Sequence, residues 1–137
     1  MKISICILTY NRGSLLKNLL LSIENLKYDP MEIIVIDNCS EDNTQQMMMY
    51  EFHYVNYIRT EKNIGAAARN LGLKRATGDI LVTLDDDIIG ITDAHLNSLT
   101  EYFSLRPNLG AINFKVLDYG RGEKIDEKNP ICIWNTT

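Results

Sequence analysis

The chain has 137 residues, which is enough for one domain with a proper core but short for an enzyme that must hold two substrates. Hydrophobic residues at 45% and charged residues at 23% are ordinary for globular proteins, and no segment approaches the ~20 apolar residues of a membrane span. A net charge of −4 without a basic stripe argues against a nucleic-acid partner.

The first part of the chain alternates apolar strands with amphipathic helices. The run ISICILT, Ile3–Thr9, is apolar at nearly every position, which is typical of a strand buried on both faces of a parallel sheet. Ser14 is predicted to cap a helix whose leucines recur at helical spacing. A second buried strand is expected at Glu32–Asp37, and a second helix at Asn43–Tyr50.

The same alternation continues through the rest of the chain. The predicted elements are a strand at 55–59, a helix at 65–76 ended by Gly78, a strand at 79–84, a helix at 93–104 and a strand at 110–116. This order predicts an α/β fold of Rossmann-like type, a mostly parallel sheet with helices on both faces. The domain is expected to cover residues 1–117, followed by a polar, turn-rich extension at 118–137.

Polar residues follow each of the first four predicted strands. In an open parallel sheet such residues gather along one edge, where ligands bind. They are Thr9, Tyr10, Asn11 and Arg12 after the first strand, Asp37 and Asn38 after the second, Asn63 and Gly65 after the third, and Asp85, Asp86 and Asp87 after the fourth. A solvated turn explains one of these segments but not the set, so the sequence predicts a ligand site at this edge.

The residue types at this edge narrow the chemistry. The chain has neither the GxxxxGK[ST] phosphate loop nor a GxGxxG fingerprint after a strand. Three consecutive carboxylates with Arg12 and Arg69 nearby are suited to hold a diphosphate through Mg²⁺ or Mn²⁺, which prefer carboxylate and phosphate oxygens. On an extended backbone Asp85 and Asp87 point the same way and Asp86 the opposite way. The plainer alternatives are a surface salt bridge for Arg69 and a helix cap for Asp37.

The cysteines indicate a cellular compartment and argue against a zinc site. Cys6, Cys39 and Cys132 are an odd number, with no CxxC spacing and no histidine at metal-binding spacing. This usage is typical of a reducing compartment. We therefore expect a cytoplasmic location.

The ordered segments ISICILTYNR, EIIVIDNCSEDNT and EKNIGAAARNLGLKRATGDILVTLDDD resemble the nucleotide-binding half of the family 2 glycosyltransferases, which have the GT-A fold. The similarity runs from Ile3 to about Ile88, some two thirds of the chain. A single DxD motif is weak evidence, but four motifs in register are specific. The resemblance implies transfer of a sugar from a nucleotide-diphosphate donor, typically a UDP-sugar, to an acceptor hydroxyl. It also implies Mn²⁺ or Mg²⁺ as the cofactor and, usually, inversion of the anomeric centre.

Carried over by position, the resemblance implies a role for each residue group. Thr9 and Arg12, with the adjacent Tyr10 and Asn11, would line the nucleotide pocket. Asp37 would accept a hydrogen bond from the base, and Asn38 would shape that loop. For the phosphates and the metal the implied residues are Asn63 and Gly65, which open the helix bearing Arg69, then Asp85 at the ribose or metal, Asp87 at the metal, and Asp86, whose role the three-aspartate run leaves ambiguous.

The resemblance also implies parts that the sequence does not supply. No general base is identified, since Asp118, Glu123, Asp126 and Glu127 lie in a context indistinguishable from a solvated loop. The acceptor-binding half of the family normally follows this point, so we expect a truncated chain that binds the donor. The implied acceptor is a sugar or a lipid-linked glycan, which allows a peripheral contact with a membrane.

Three other interpretations stay open at this point. ILVTLDDD also resembles the nucleophile motif of haloacid-dehalogenase-type phosphatases, with Asp85 phosphorylated and Asp87 as the acid, but that motif normally lies on the first strand. A sugar nucleotidyltransferase would carry a Gly-rich loop where this chain has TYNRG. A non-catalytic nucleotide-binding module is the third alternative, because no base is identified.

Overall fold

A computed structural model of the chain describes residues 1–114 and the backbone of residues 131–135. The elements are β1 (Ile3–Thr9), α1 (Gly13–Glu24), β2 (Met31–Asp37), α2 (Thr44–Tyr50), β3 (Asn56–Arg59), a 3-10 turn (Gly65–Ala68), α3 (Arg69–Arg75), β4 (Ile80–Asp85), α4 (Asp93–Leu105), β5 (Leu109–Phe114) and β6 (Ile131–Asn135). Strands β1 to β4 form one parallel sheet in the order β3-β2-β1-β4. This architecture confirms the predicted α/β fold class.

The apolar side chains of the central strand are buried on both faces of the sheet. Successive side chains of a strand point to opposite faces, and both Cys6 and its neighbours Ile5 and Ile7 are almost fully buried. On the Cys6 face the core continues into Ile34, Ile36 and Ala68. Helix α3 packs close to this face, because a Cβ added to Gly72 would lie 2.5 Å from Ile36 Cδ1.

Two predicted helix boundaries are wrong, and each has a physical reason. Helix α1 begins at Gly13 rather than after a Ser14 cap, because the Gly13 N–H donates to the Asp42 carboxylate of another loop at 3.0 Å. Gly78 does not end α3, which stops at Arg75. A Cβ at Gly78 would lie 2.7 Å from the Ser4 amide nitrogen, so this glycine permits a close approach of two backbones.

The other predicted elements differ from the structure in smaller ways. The strands expected at 32–37, 55–59 and 79–84 and the helix expected at 43–50 have boundaries within one residue of the predicted ones. The helix expected at 65–76 is instead a 3-10 turn followed by α3. The turn begins at Gly65 with φ +63°, a left-handed conformation that glycine adopts without strain.

The chain divides into two compact units, residues 1–96 and 97–137. In the second unit β5 pairs with β6 in an antiparallel two-stranded sheet, so β5 does not extend the parallel sheet described above. The strand β6 lies within the segment 118–137, which was predicted to be a polar, turn-rich extension. The predicted domain boundary at 117 and 118 lies outside the described residues and stays a prediction.

A helix that crosses a bilayer needs about 20 predominantly apolar residues. No helix among the described residues has the length and apolarity that a membrane crossing requires.

Candidate functional site

The carboxyl ends of β1, β2, β3 and β4 lie side by side, which we call the carboxyl edge. Thr9 pairs in register with Asp37, and Asp37 pairs with Arg59. On the other side Leu8 pairs with Asp85. The strand register thus brings together the polar segments that the sequence predicted to converge.

The three aspartates after β4, Asp85 to Asp87, form what we call the acidic turn, and the middle carboxylate is anchored. Asp86 is 4% exposed, and its carboxylate accepts a hydrogen bond from Thr9 Oγ1 at 2.8 Å. Arg12 Nη1 lies 3.2 Å from the other oxygen of Asp86. The loop after β1 is therefore tied to the acidic turn by a hydroxyl and a guanidinium.

The two flanking carboxylates are open to solvent. The side chains of Asp85 and Asp87 are 62% and 52% exposed. Asp85 forms an ion pair with Arg69, which also donates to the Leu84 carbonyl at 3.2 Å. Asp87 lies 3.3 Å from the same Arg12 nitrogen that contacts Asp86, and the hydrogen bond with Asp86, followed by the nearby charges, raises the pKa of Arg12. Two arginines thus form ion pairs with three carboxylates.

Asp37 has a different environment, because its side chain is fully buried. One oxygen accepts the Ser40 N–H at 2.8 Å, and the other accepts the Tyr57 hydroxyl and Arg59 Nη1, the latter at 3.3 Å. Burial, followed by the bond to Asp37, raises the pKa of Tyr57 above its usual range. Asp37 is not the cap of α2, which begins at Thr44. All its observed donors come from the protein, and its predicted contact with a base stays a prediction.

Asn38 joins the ends of β1 and β2 to the segment before α3. Its N–H donates to the Thr9 carbonyl at 2.9 Å, and its side-chain amide donates to Asn63 Oδ1 at 2.8 Å and to the Gly65 carbonyl at 3.1 Å. Its side-chain oxygen accepts the Ile64 N–H at 2.9 Å. Asn38 is 3% exposed, so the side chain holds two loops in place.

The loops after β1 and β2 are linked by reciprocal hydrogen bonds. The Asn11 N–H donates to Ser40 Oγ at 2.9 Å, and Asn11 Oδ1 accepts the Glu41 N–H at 2.7 Å. Asn11 and Cys39 both have positive φ, +53° and +67°, which is uncommon outside glycine and is typical of functional loops. The facing loops are therefore held in a conformation that local sequence preference does not favour.

Several residues at this edge were missed by the sequence reasoning. The run SEDNT was interpreted only as a cap for α2, whereas Ser40 Oγ and the Asp42 carboxylate accept backbone N–H groups of the loop after β1. Tyr57 and Arg59 were assigned only to a strand. Alternation along β3 gave the one usable signal, since it places both side chains on one face of the strand, the face that Asp37 also occupies. Tyr10 lies beside Thr9 with its side chain 42% exposed.

The donor chemistry of the acidic turn suits a hard divalent cation. Among the described residues, no three His, Cys, Asp or Glu side chains are arranged to hold a metal ion. Mg²⁺ and Mn²⁺ sites in nucleotide enzymes use one or two carboxylates and complete their coordination with phosphate oxygens and water. Asp85 and Asp87 supply two solvent-exposed carboxylates of this kind.

The chain is similar to known proteins in family, in sequence and in structure. The model of "Glycosyl transferase family 2" matches residues 4–127. An uncharacterized glycosyltransferase of Bacillus subtilis, YwdF, is 39% identical over 102 residues, which cover 74% of this chain and 38% of that protein. A poly-beta-1,6-N-acetyl-D-glucosamine synthase of Staphylococcus epidermidis is 35% identical over 114 residues, which cover 80% of this chain and 27% of that protein.

Two solved structures are similar to this chain. S. aureus TarS 1-349 in complex with UDP-GlcNAc superposes with a TM-score of 0.72 at 25% identity, covering 93% of this chain and 37% of that one. The mannosyltransferase PcManGT from Pyrobaculum calidifontis, in complex with GDP-Man and Mn²⁺, gives a TM-score of 0.71 at 26% identity, covering 79% and 33%. The chain spans between a quarter and two fifths of the length of these proteins.

Proposed function

This chain belongs to glycosyl transferase family 2, and we propose that its carboxyl edge binds the nucleotide-diphosphate donor of a glycosyl transfer reaction, most simply a UDP-sugar. The proposed reaction moves the sugar to an acceptor hydroxyl with inversion of the anomeric centre. The acceptor class proposed is a sugar or a glycan. Support for a UDP-linked donor comes from TarS, whose structure is described in complex with UDP-GlcNAc.

One observation carries the proposal: the register of the parallel strands places the anchored Asp86, the solvent-open Asp85 and Asp87, and the loop after β1 at one edge of the sheet. Edges of this kind bind ligands in open α/β sheets. A diphosphate needs positive charge around it, and Arg12 and Arg69 lie here. The edge thus combines groups for a metal with groups for phosphate.

A divalent cation, Mn²⁺ or Mg²⁺, fits the donor set, and Asp85 and Asp87 are the residues that would hold it. When bound, such an ion neutralises the charge that develops on a departing nucleoside diphosphate. Asp86 has a structural role, because its contacts with Thr9 and Arg12 hold the turn in which the two flanking carboxylates lie.

The nucleotide would lie against the loops after β1 and β2, which the Asn11, Asn38 and Ser40 contacts hold in place. Because Asp37 is fully buried, a base would reach its carboxylate only if residues that cover it moved. No acceptor-activating base was identified from the sequence, and the acidic residues weighed for that role, Asp118, Glu123, Asp126 and Glu127, lie outside the described residues. The proposal for this chain therefore rests on donor binding.

Isothermal titration calorimetry with UDP, in the presence and absence of Mn²⁺, tests the donor site. We expect binding that is at least about tenfold tighter with Mn²⁺, because two carboxylates and a diphosphate complete one coordination sphere. Titration of a panel of nucleoside diphosphates would show which base the site binds most tightly. Failure of every nucleoside diphosphate to bind with Mn²⁺ present would overturn the proposal.

Hydrolysis of UDP-sugars separates an enzyme from a binding module. Slow release of UDP from one sugar of a panel would support transfer chemistry, and the anomer of the released sugar, read by NMR, tests inversion. Binding of UDP without turnover of any UDP-sugar would instead favour the non-catalytic module.

A further inference from the structure

Arg12 bridges two carboxylates of the acidic turn whose surroundings differ. One nitrogen of its guanidinium lies 3.2 Å from Asp86 and 3.3 Å from Asp87. We propose that Arg12 is an internal counter-ion, which neutralises Asp86 and Asp87 in the absence of ligand and is exchanged at Asp87 for a divalent cation when a nucleoside diphosphate binds. This inference rests on the proposed donor site and adds to it a coupling between metal and nucleotide.

The geometry of the contact favours exchange. Hydrogen bonds between a charged nitrogen and a carboxylate are usually 2.7–2.9 Å long, and both Arg12 contacts exceed that range. The side chains of Arg12 and Asp87 are each 52% exposed, so breaking their contact exposes little buried charge. Exposed pairs of this kind contribute little to stability. The Arg12–Asp87 contact can therefore open at low cost.

Asp86 does not take part in the exchange to the same extent. Its side chain is 5% exposed, and it keeps both the Thr9 hydrogen bond at 2.8 Å and its own Arg12 contact at 3.2 Å when Arg12 opens from Asp87. The acidic turn therefore keeps its conformation while one of its carboxylates becomes available. This separation of an anchored carboxylate from an exchangeable one explains why the chain carries more aspartates here than a single ion pair needs.

The charges determine the order of events. Three carboxylates face two guanidiniums at this place, so the ligand-free turn carries one surplus negative charge. A divalent cation that arrives alone must displace Arg12 and then remain close to it, which costs repulsion. A diphosphate that arrives with the cation offers the released guanidinium new oxygen acceptors, which arginine binds well. Metal and nucleotide should therefore bind cooperatively, each tightening the other by the same factor.

Arg69 provides an internal comparison. It pairs with Asp85 but also donates to the Leu84 carbonyl at 3.2 Å. This second contact holds the guanidinium near β4, and so Arg69 is less free to exchange. Because Arg69 nevertheless competes for Asp85, the other proposed metal ligand, removing Arg69 should also tighten metal binding.

The test compares Arg12→Gln with the wild type in two measurements on the full chain. Mn²⁺ alone is titrated and its free concentration is read by electron paramagnetic resonance. UDP is then titrated by calorimetry at saturating Mn²⁺. We expect Arg12→Gln to bind Mn²⁺ alone about threefold to tenfold more tightly, since about 0.7–1.4 kcal/mol of competition disappears. We expect it to bind UDP about tenfold more weakly, since a phosphate contact is lost.

Arg69→Gln and Arg75→Gln are the matched variants, each removing one arginine of α3. The first, which frees Asp85 of its ion pair, should also tighten Mn²⁺ binding, and the second, at an exposed position, should change neither measurement. Thermal melts of all variants check that the fold is kept. An unchanged or weaker Mn²⁺ affinity in Arg12→Gln would overturn the exchange, as would tight binding of Mn²⁺ to the wild type without UDP.

The two measurements also separate this inference from the proposed function. Tighter Mn²⁺ in Arg12→Gln, with no UDP binding by any variant, would uphold Arg12 as a counter-ion at Asp87 and overturn the nucleotide site. Metal-dependent UDP binding by the wild type, with no change in Mn²⁺ affinity in Arg12→Gln, would uphold the donor site and overturn the exchange.

Discussion

Polar side chains lie at both ends of the parallel strands, and the two ends use them differently. At the amino ends of β1 and β2, the carboxylate of Glu32 receives several donors. These are the Ser4 hydroxyl, the Thr77 N–H at 2.7 Å and its hydroxyl at 2.9 Å, with Lys2 Nζ at 3.4 Å. These contacts, the Ser4 hydrogen bond first, lower the pKa of Glu32 to about 2.

At the carboxyl edge the ratio is reversed, because the three carboxylates of the acidic turn share two arginines and two of them are more than half exposed. A cluster of polar residues at a strand end is thus not sufficient evidence of a binding site. What distinguishes the carboxyl edge is surplus negative charge that is open to solvent. At the amino end the Glu32 carboxylate is hydrogen-bonded by residues of the same chain, and these contacts stabilise the fold.

The largest effect is expected for Asp37→Asn, because this fully buried carboxylate accepts from Ser40, Tyr57 and Arg59. Asparagine keeps the shape but leaves the Arg59 charge without its partner. We expect the free energy of unfolding to fall by about 3 kcal/mol, measured by urea denaturation. The control is Asp79→Asn, an exposed carboxylate that accepts the Lys2 N–H. Equal losses of unfolding free energy for the two variants would contradict the assignment of Asp37 as a buried carboxylate that stabilises the fold.

The second prediction concerns acid stability at the amino end. Because the pKa of Glu32 is lowered from 4.5 to about 2 in the folded state, its contribution is fully present above pH 4.5 and is lost as the pH falls toward 2. We expect that contribution to be on the order of 2 kcal/mol. Urea denaturation between pH 2 and pH 7 should show a shallower acid loss for Glu32→Gln than for the wild type, with UDP binding unchanged. Parallel pH profiles would contradict the prediction.

The third prediction concerns the carboxyl edge, where we expect a loss of UDP binding with little loss of stability. Asp87→Asn should weaken UDP binding in the presence of Mn²⁺ about tenfold, since one of two proposed metal ligands loses its charge. Its free energy of unfolding should change by less than about 0.5 kcal/mol, because the side chain is 52% exposed. Calorimetry and urea denaturation on the same preparation give both values. A variant that loses stability but keeps binding would reverse the comparison between the two ends.

The smallest effect is expected for Lys17→Gln. Lys17 forms an ion pair with Glu51, and the two side chains are 41% and 49% exposed. Such surface pairs contribute little. We expect a change below about 0.5 kcal/mol in the free energy of unfolding and no change in UDP binding, by the same two measurements. A large loss of binding would show that the donor site extends along α1.

The sequence predicted the sheet well because its signal is local. Continuous apolar runs in β1, β2 and β4 are typical of strands buried on both faces, and the polar residues that follow them converge whenever the strands are parallel. The sequence alone therefore predicts that the acidic turn lies beside the loop after β1. The exposure in the turn, with Asp86 buried and its neighbours open, agrees with the expected alternation, although β4 ends at Asp85 and the next two aspartates lie in the turn after it.

What the sequence could not predict depends on partners distant along the chain. Nothing near Gly13 indicates that Asp42 receives its N–H, and nothing near Asp37 indicates that Tyr57 and Arg59 occupy it. The antiparallel pairing of β5 with β6 was missed for the same reason, because its partner strand follows a long intervening segment. Non-local pairing, rather than propensity, decided each of these outcomes.

The two cysteines whose side chains the structure describes have opposite chemical accessibility. Burial, with a smaller effect from Glu32, raises the pKa of Cys6 to about 11, so it stays an unreactive thiol at neutral pH. Cys39 lies half-buried in the loop after β2, two residues from Asp37. A maleimide fluorophore should therefore label Cys39 in preference to Cys6, which would place an optical reporter next to the proposed donor site.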